Sequence, residues 1–272
     1  MSLFKPIYAV VQRDLIKFSR QKGRVLSSLV RPLIWLVVIG AGFNSIVTTD
    51  GNDYFEFLVP GVLGMTILFG ALLGSLSMVY EKESGVMRMI LVSPLTHKSI
   101  VFAKMAAATC SAIIQAALLI VVLLALGYID LSVDWFLVVV GMFILSVTCS
   151  GIGMLVASFS KTLDNFAAIM NFVIFPVFFL SGSLYPITNL PYALKVLAQA
   201  NPYTYGVDIL KHGILVPNGG TSDIPLIISF LVLIAFTIAA FFIASWRFSL
   251  EDTTSIWFPR QIKRKLGKLQ NS

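Results

Sequence analysis

The sequence predicts an all-α membrane protein with six transmembrane helices. An N-terminal amphipathic interfacial helix precedes them, a short helix lies on the cytoplasmic side, and a re-entrant helical hairpin lies outside before the last span. Both termini are cytoplasmic in this reading. Three observations carry it. The chain has 272 residues, 57% of them apolar and only 12% charged, where a soluble domain carries about 25% charged residues. Six stretches without Asp, Glu, Lys or Arg each approach the roughly 20 residues that a helix needs to cross a bilayer. All but two of the 20 lysines and arginines fall on one side of those stretches, the side that positive charge marks as cytoplasmic.

In chain order, residues 1–28 read as the amphipathic helix. Ile7, Val11, Leu15 and Phe18 recur at helical spacing, while Arg13, Lys17, Arg20 and Arg24 form a second stripe. That pattern suits a helix lying on the inner membrane surface; a plain basic stretch that only sets topology is the simpler alternative. Residues 29–272 read as one six-span domain. The charge-free runs are Pro32–Thr49, Phe57–Tyr80, Met105–Ile129, Trp135–Ser160, Asn165–Leu184 and Ile224–Trp246, and Leu29 and Val30 extend the first. The spans are thus expected near 29–49, 57–80, 105–129, 135–160, 165–184 and 224–246, with a basic tail over 247–272. Pro176 interrupts the fifth, which a membrane helix tolerates with a kink. The first run follows a polar basic stretch and shows no small-residue cleavage site, so it reads as a retained helix.

Two links between spans are organised. The cytoplasmic link Glu81–Lys104 starts Glu81-Lys82-Glu83-Ser84-Gly85, and Val86, Met89 and Ile90 share one face of a short helix that Pro94 stops. The external stretch Ser183–Asp223 is too long and too apolar for a plain loop. Leu190, Leu194 and Leu197 have helical spacing, Asn201-Pro202 breaks the chain, and Tyr203, Val207, Leu210 and Ile214 resume the pattern. Two short helices dipping into the outer leaflet account for it.

The chemistry that is missing narrows the function. No GxxxxGK[ST] loop cradles a phosphate, so this chain is not expected to be an ATPase or any other enzyme. No HExxH and no paired aspartates suggest a metal. Cys110 and Cys149 fall inside apolar runs and read as small buried side chains. His97 and His212 fall on opposite sides of the membrane and cannot form one site. No ionisable residue falls at mid-membrane, where ion-coupled carriers mark their pathways.

Together these features resemble the membrane-spanning permease subunit of type-2 ABC transporters. Three elements carry the resemblance: the amphipathic helix before span one, the link Tyr80-Glu81-Lys82-Glu83-Ser84-Gly85-Val86 through Leu91-Val92-Ser93-Pro94, and the outer hairpin Ser181-Gly182-Ser183-Leu184-Tyr185-Pro186 followed by Asn201-Pro202-Tyr203-Thr204-Tyr205-Gly206-Val207-Asp208. Arg88 makes the link less acidic than the family pattern. The resemblance implies that residues 1–28 are a connecting helix and that the link is a coupling helix docking into a separate ATPase. Glu81, Glu83 and Gly85 would shape the joint, Val86, Met89 and Ile90 would supply the docking face, and Pro94 would end the coupling helix. Two permease copies, or one with a paralogue, would pair with two cytoplasmic ATPase subunits in a bacterial inner membrane. The substrate would be exported between spans two and five, past Met65, Phe69, Asn171, Phe175 and Phe178. Tyr185, Pro186, Asn201, Pro202 and Tyr203 would form the external hairpin. The chain itself would hold no cofactor, ATP and magnesium binding to the partner, and no nucleic acid is expected. The rival readings are an ATP-independent carrier or channel and an intramembrane lipid enzyme.

Overall fold

The computed structural model describes residues 4–44, 54–91, 95–130 and 132–257. Those residues are helical apart from short turns and connections. The helices are α1 (Phe4–Arg20), α2 (Lys22–Asn44), α3 (Tyr54–Glu83), α4 (Val86–Leu91), α5 (His97–Ala125), α6 (Trp135–Phe159), α7 (Leu163–Phe179), α8 (Tyr192–Ala200), α9 (Pro202–Ile214) and α10 (Leu226–Trp257). Short 3₁₀ turns at Ile187–Asn189 and Val216–Asn218 flank the α8–α9 hairpin. Pro94 lies outside the described residues, as does the tail beyond 257.

Five helices, α2, α3, α5, α6 and α10, are long and apolar enough to cross a bilayer, and α7 is shorter. At 1.5 Å per residue, α7 covers only about 25 Å. Its flanking contacts nonetheless carry the chain across. The Leu163 amide bonds Glu83 at one end of α3, and Ser183 lies directly against Gly61 near the other. The intervening α3 backbone is about 33 Å long, so residues 163–183 run beside α3 for about the thickness of a hydrocarbon layer by combining a helix with the turn that follows it. Helix α7 is therefore shorter than the fifth span, 165–184, that the sequence suggests. It starts two residues earlier and ends five earlier.

Helix α3 is the hub. It is buried along almost its whole length and packs against α2, α5, α6, α7 and α9. Helix α10 lies outside, against α5, α6 and α9, and presents Ile227, Leu231, Ile234 and Phe242 outward. A helix that is apolar all round while half exposed has lipid as its natural solvent. The end of the bundle carrying α1 and α4 is called the basic end below, and the end carrying α8 and α9 the far end.

Helix α1 follows the predicted stripe: Ile7, Val11, Leu15 and Phe18 are half-buried, and Tyr8, Gln12, Ser19 and Arg20 face out. It stops at Arg20, and α2 begins at Lys22, well before the expected start of span one. The hairpin divides differently from two equal amphipathic helices. Helix α8 is largely exposed, whereas α9 is enclosed by α3, α6 and α10. Gly64 makes that seat possible. A Cβ there would stand 2.7 Å from the Tyr203 hydroxyl oxygen.

Candidate functional site

The basic end is organised around charge brought together from three distant parts of the chain. Lys104, on the third turn of α5, is 1% exposed, as is Glu81 near the end of α3. The Lys104 ammonium lies 2.6 Å from Glu81 Oε2 and 2.8 Å from Asp14 Oδ2 on α1. Arg13 bonds both carboxylates, reaching Asp14 Oδ1 at 3.1 Å and pairing with Glu81. Lys17 stands 3.6 Å from Glu81, and the Ser77 hydroxyl donates to Asp14 at 3.4 Å. Burial works against ionisation of Asp14, but Lys104 and Arg13 outweigh it and hold the carboxyl below its ordinary range. Charges taken out of water are tolerated only when paired and hydrogen-bonded. This network is the main polar lock between α1 and the spans.

Glu81 therefore does more than shape a joint, and the next residues extend the arrangement. Lys82 donates to the carbonyls of Ala157 and Ser158 at the end of α6, at 3.0 and 3.3 Å. A cation there also complements the negative end of the helix dipole. Glu83 accepts from the Leu163 amide at 2.9 Å, satisfying one of the orphan N–H groups that open α7. Gly85 then turns the chain with φ of +80°, a conformation that costs other residues roughly 1 kcal/mol, and α4 departs. On α4, Met87 is buried, Val86 and Ile90 are half-buried, and Met89 is 70% exposed. One base thus joins α1, α3, α5, α6 and α7 and presents a short helix outward.

At the far end, the hairpin residues solve a backbone problem. Helix α7 ends within the bundle, where its last carbonyls have no intrahelical partners and lipid offers none. The Asn201 side chain donates to Val177 O at 2.7 Å, Ser181 Oγ to Phe178 O at 2.6 Å and Tyr185 Oη to Phe179 O at 2.5 Å. Asn201 also caps α9 by accepting from the Tyr203 amide, with Pro202 in the first turn. Pro186 leads into the first 3₁₀ turn. Deeper in the hairpin, Lys211 pairs with Asp223 at 2.7 Å, and Asp208 accepts from the Asp223 and Ile224 amides and from Ser229. These bonds fix the entry of α10 against α9.

The pathway candidates divide into two sets. Asn171 and Phe175 are exposed on α7, beside Phe172 at 80% exposure. Met65 and Phe178 are buried within this chain; Phe178 packs edge-on to Trp35 at 5.8 Å. Phe69 is half-buried beneath the Arg31 guanidinium, 4.6 Å from its ring centre.

With this geometry in view, the comparison with known proteins is direct. Residues 5–215 match the family described as ABC-2 type transporter. The chain belongs to that family. Its match covers α1, the α4 link, the spans through α7 and the α8–α9 hairpin. Among its relatives, the transport permease ycf38 of Porphyra purpurea is 29% identical over 217 residues, covering 77% of this chain and 74% of that protein. The inner membrane transport permease YadH of Escherichia coli K12 is 26% identical over 228 residues, covering 81% and 86%. Nodulation protein J of Rhizobium leguminosarum bv. viciae is 26% identical over 210 residues, covering 75% and 80%. The protein is accordingly a multi-pass transmembrane transport permease of the ABC type.

The main correction to the sequence reading concerns charge. Bounding each span at its flanking charges leaves the spans empty of ionisable groups. The helices continue past those bounds and bury Glu81 and Lys104 at the basic end. Asp14 is a lone acid in a basic stretch, and its place next to Arg13 and one turn before Phe18 is the signal that the sequence offers for it. Lys211, within the second external helix of the sequence reading, is 1% exposed on α9.

Proposed function

We propose that this chain is the membrane subunit of an ABC exporter, driven by separate ATPase subunits that engage α4 and α1 at a cytoplasmic basic end. The supporting observation is the buried network of Asp14, Arg13, Glu81 and Lys104 at the root of α4. A force on α4 passes through Gly85 into α3, and the network transmits it to α1 and α5 without slack. Glu83 carries the same displacement to α7. Val86, Met89 and Ile90 serve as the docking face, with Pro94 ending the link. ATP and magnesium are held by the partner.

Two copies, or one copy with a paralogue, pair so that α3 and α7 border the pathway. The exposed Asn171, Phe172 and Phe175 face of α7 is the natural surface for that pairing or for the substrate. Met65 and Phe178 become accessible only when α7 moves from α3. The setting is a bacterial inner membrane, in keeping with the name of the YadH relative.

Affinity purification from intact membranes tests the reading. A cytoplasmic ATPase is recovered with the wild type and lost with Val86→Asp, while the variant still inserts. Recovery of no ATPase under conditions that keep peripheral subunits bound overturns it. Uptake by the purified subunit alone in ATP-free vesicles instead supports a carrier or channel.

A further inference from the structure

Arg31 is a charged group that the coupling network does not use. It lies within α2, and its guanidinium sits 4.6 Å from the centre of the Phe69 ring on α3. Phe69 stands about 18 Å along α3 from Glu81 and about 21 Å from Phe55. The ring is therefore near the middle of a helix that crosses a hydrocarbon layer about 30 Å thick. The register of the two helices agrees. Gly40 of α2 packs on Phe55, and Arg31 lies about 14 Å back from Gly40. A helical side chain leans towards the N-terminus of its helix, here the basic end, yet this one ends at mid-α3.

A cation at that depth is costly unless it is paired. The Phe69 ring offers a cation–π contact but no counter-charge. Arg31 is exposed on the surface of this chain and pairs with no carboxylate among the described residues. The nearest acids on α3, Glu81 and Glu56, are each about 18–20 Å from Phe69 along the helix, and Asp164 opens α7 beside Glu83. A second copy set parallel to the first brings acids only at the same two ends, so the counter-charge falls to a ligand.

The surroundings narrow its chemistry. Trp35 lies one turn beyond Arg31 on the same face of α2. It meets Phe178 and Phe179 of α7 at 5.8 and 5.9 Å, and Phe175 stacks on Phe179 at 6.1 Å. The guanidinium thus stands at the edge of the aromatic surface that joins α2, α3 and α7. We infer that Arg31 is the charged subsite of the transport pathway and binds the phosphate or carboxylate group of an amphiphilic substrate. The planar guanidinium takes such an oxyanion through two parallel hydrogen bonds, and the apolar part of the substrate lies on Phe69, Trp35 and Phe175. This assignment rests on the reading of α3 and α7 as walls of the pathway. It makes the pathway selective for anionic amphiphiles over neutral or cationic ones.

The test uses the full chain in dodecyl maltoside, a detergent with no competing phosphate. Dodecyl phosphate with a diazirine on its chain is compared with the matching alcohol, and labelling is normalised to the exposed α10 face around Ile234. The phosphate is expected to label residues 31–39 and 171–179 about tenfold more than the alcohol, the discrimination of one charge-assisted pair. Arg31→Gln brings the two probes to parity, and Arg31→Lys keeps part of the preference. Equal labelling in the wild type overturns the inference, and so does a preference that survives Arg31→Gln; the wild-type comparison decides even where a variant fails to fold. A tenfold excess of phosphatidylglycerol should leave the phosphate label in place, whereas its displacement marks a resident bilayer lipid and overturns the assignment to a substrate. Labelling needs no ATPase, so it succeeds or fails separately from the recovery of one.

Discussion

Replacing Lys104 with methionine removes the single ammonium that serves both buried carboxylates of the basic end. Asp14 and Glu81 then depend on Arg13 and Lys17, whose side chains are 36% and 49% exposed. Breaking a buried ion pair by deleting one partner costs about 3–5 kcal/mol, because a desolvated charge is left behind. At about 2–4 °C per kcal/mol for a chain of this size, the apparent Tm in detergent should fall by roughly 10 °C. Adding Asp14→Asn to Lys104→Met removes one of the stranded carboxylates and leaves Arg13 paired with Glu81. The double variant should therefore be more stable than the single, a coupling read by a double-mutant cycle. A disulfide engineered between α1 and α5 gives a local readout, forming less efficiently in the single variant and recovering in the double. A Tm change under about 2 °C in Lys104→Met, or additive losses in the double, would refute the idea that the network holds α1 in place.

Acid should release the same contact. The native Asp14 carboxyl titrates below its ordinary value, so its stabilisation is complete above about pH 3.9 and is lost as pH falls through the native value; crosslinking of α1 to α5 should be flat from pH 8 to 5 and decline only below that window. Asn201→Ala strands Val177 O and uncaps α9 together, for a combined loss of about 2–4 kcal/mol in thermal unfolding. Glu83→Ala removes the side-chain acceptor at the start of α7 for about 1 kcal/mol, and in the assembled transporter ATP hydrolysis should persist while transport falls; normal transport would place coupling elsewhere. A protease site inserted at Gly219, an exposed left-handed turn, should be cut only from outside the cell, and cutting from inside would reverse the orientation.

The elements set by local periodicity were legible in the sequence. The stripe of Ile7, Val11, Leu15 and Phe18 marks α1, and Asn201-Pro202 marks the break between α8 and α9, because each signal lies within a few residues of its effect. The charge network was not legible. Residues 14, 81 and 104 meet only through the packing of α1, α3 and α5, and each taken alone resembles an ordinary loop charge. The length of α7 was also obscured. Residues 180–184 carry no charge, so the charge-free run continues through them, yet Gly182 turns the chain at φ +76° and Ser181, Tyr185 and Asn201 bind the carbonyls that a continuing helix would have used. The sequence marks Asn201 and Tyr185 as hairpin residues, and their work on the α7 terminus emerges only from the three-dimensional arrangement.

That terminus has a mechanical consequence. Three consecutive carbonyls of α7 are held by side chains beyond it, one of them at the head of α9. Phe178 O keeps a backbone amide from Ser181, but unfastening the side chains in lipid would strand the Val177 and Phe179 carbonyls together, which ties α7 to the hairpin. Glu83 fastens the opposite end of α7 to the tip of α3. A displacement at the basic end would thus reach the far end through one rod with its cap attached.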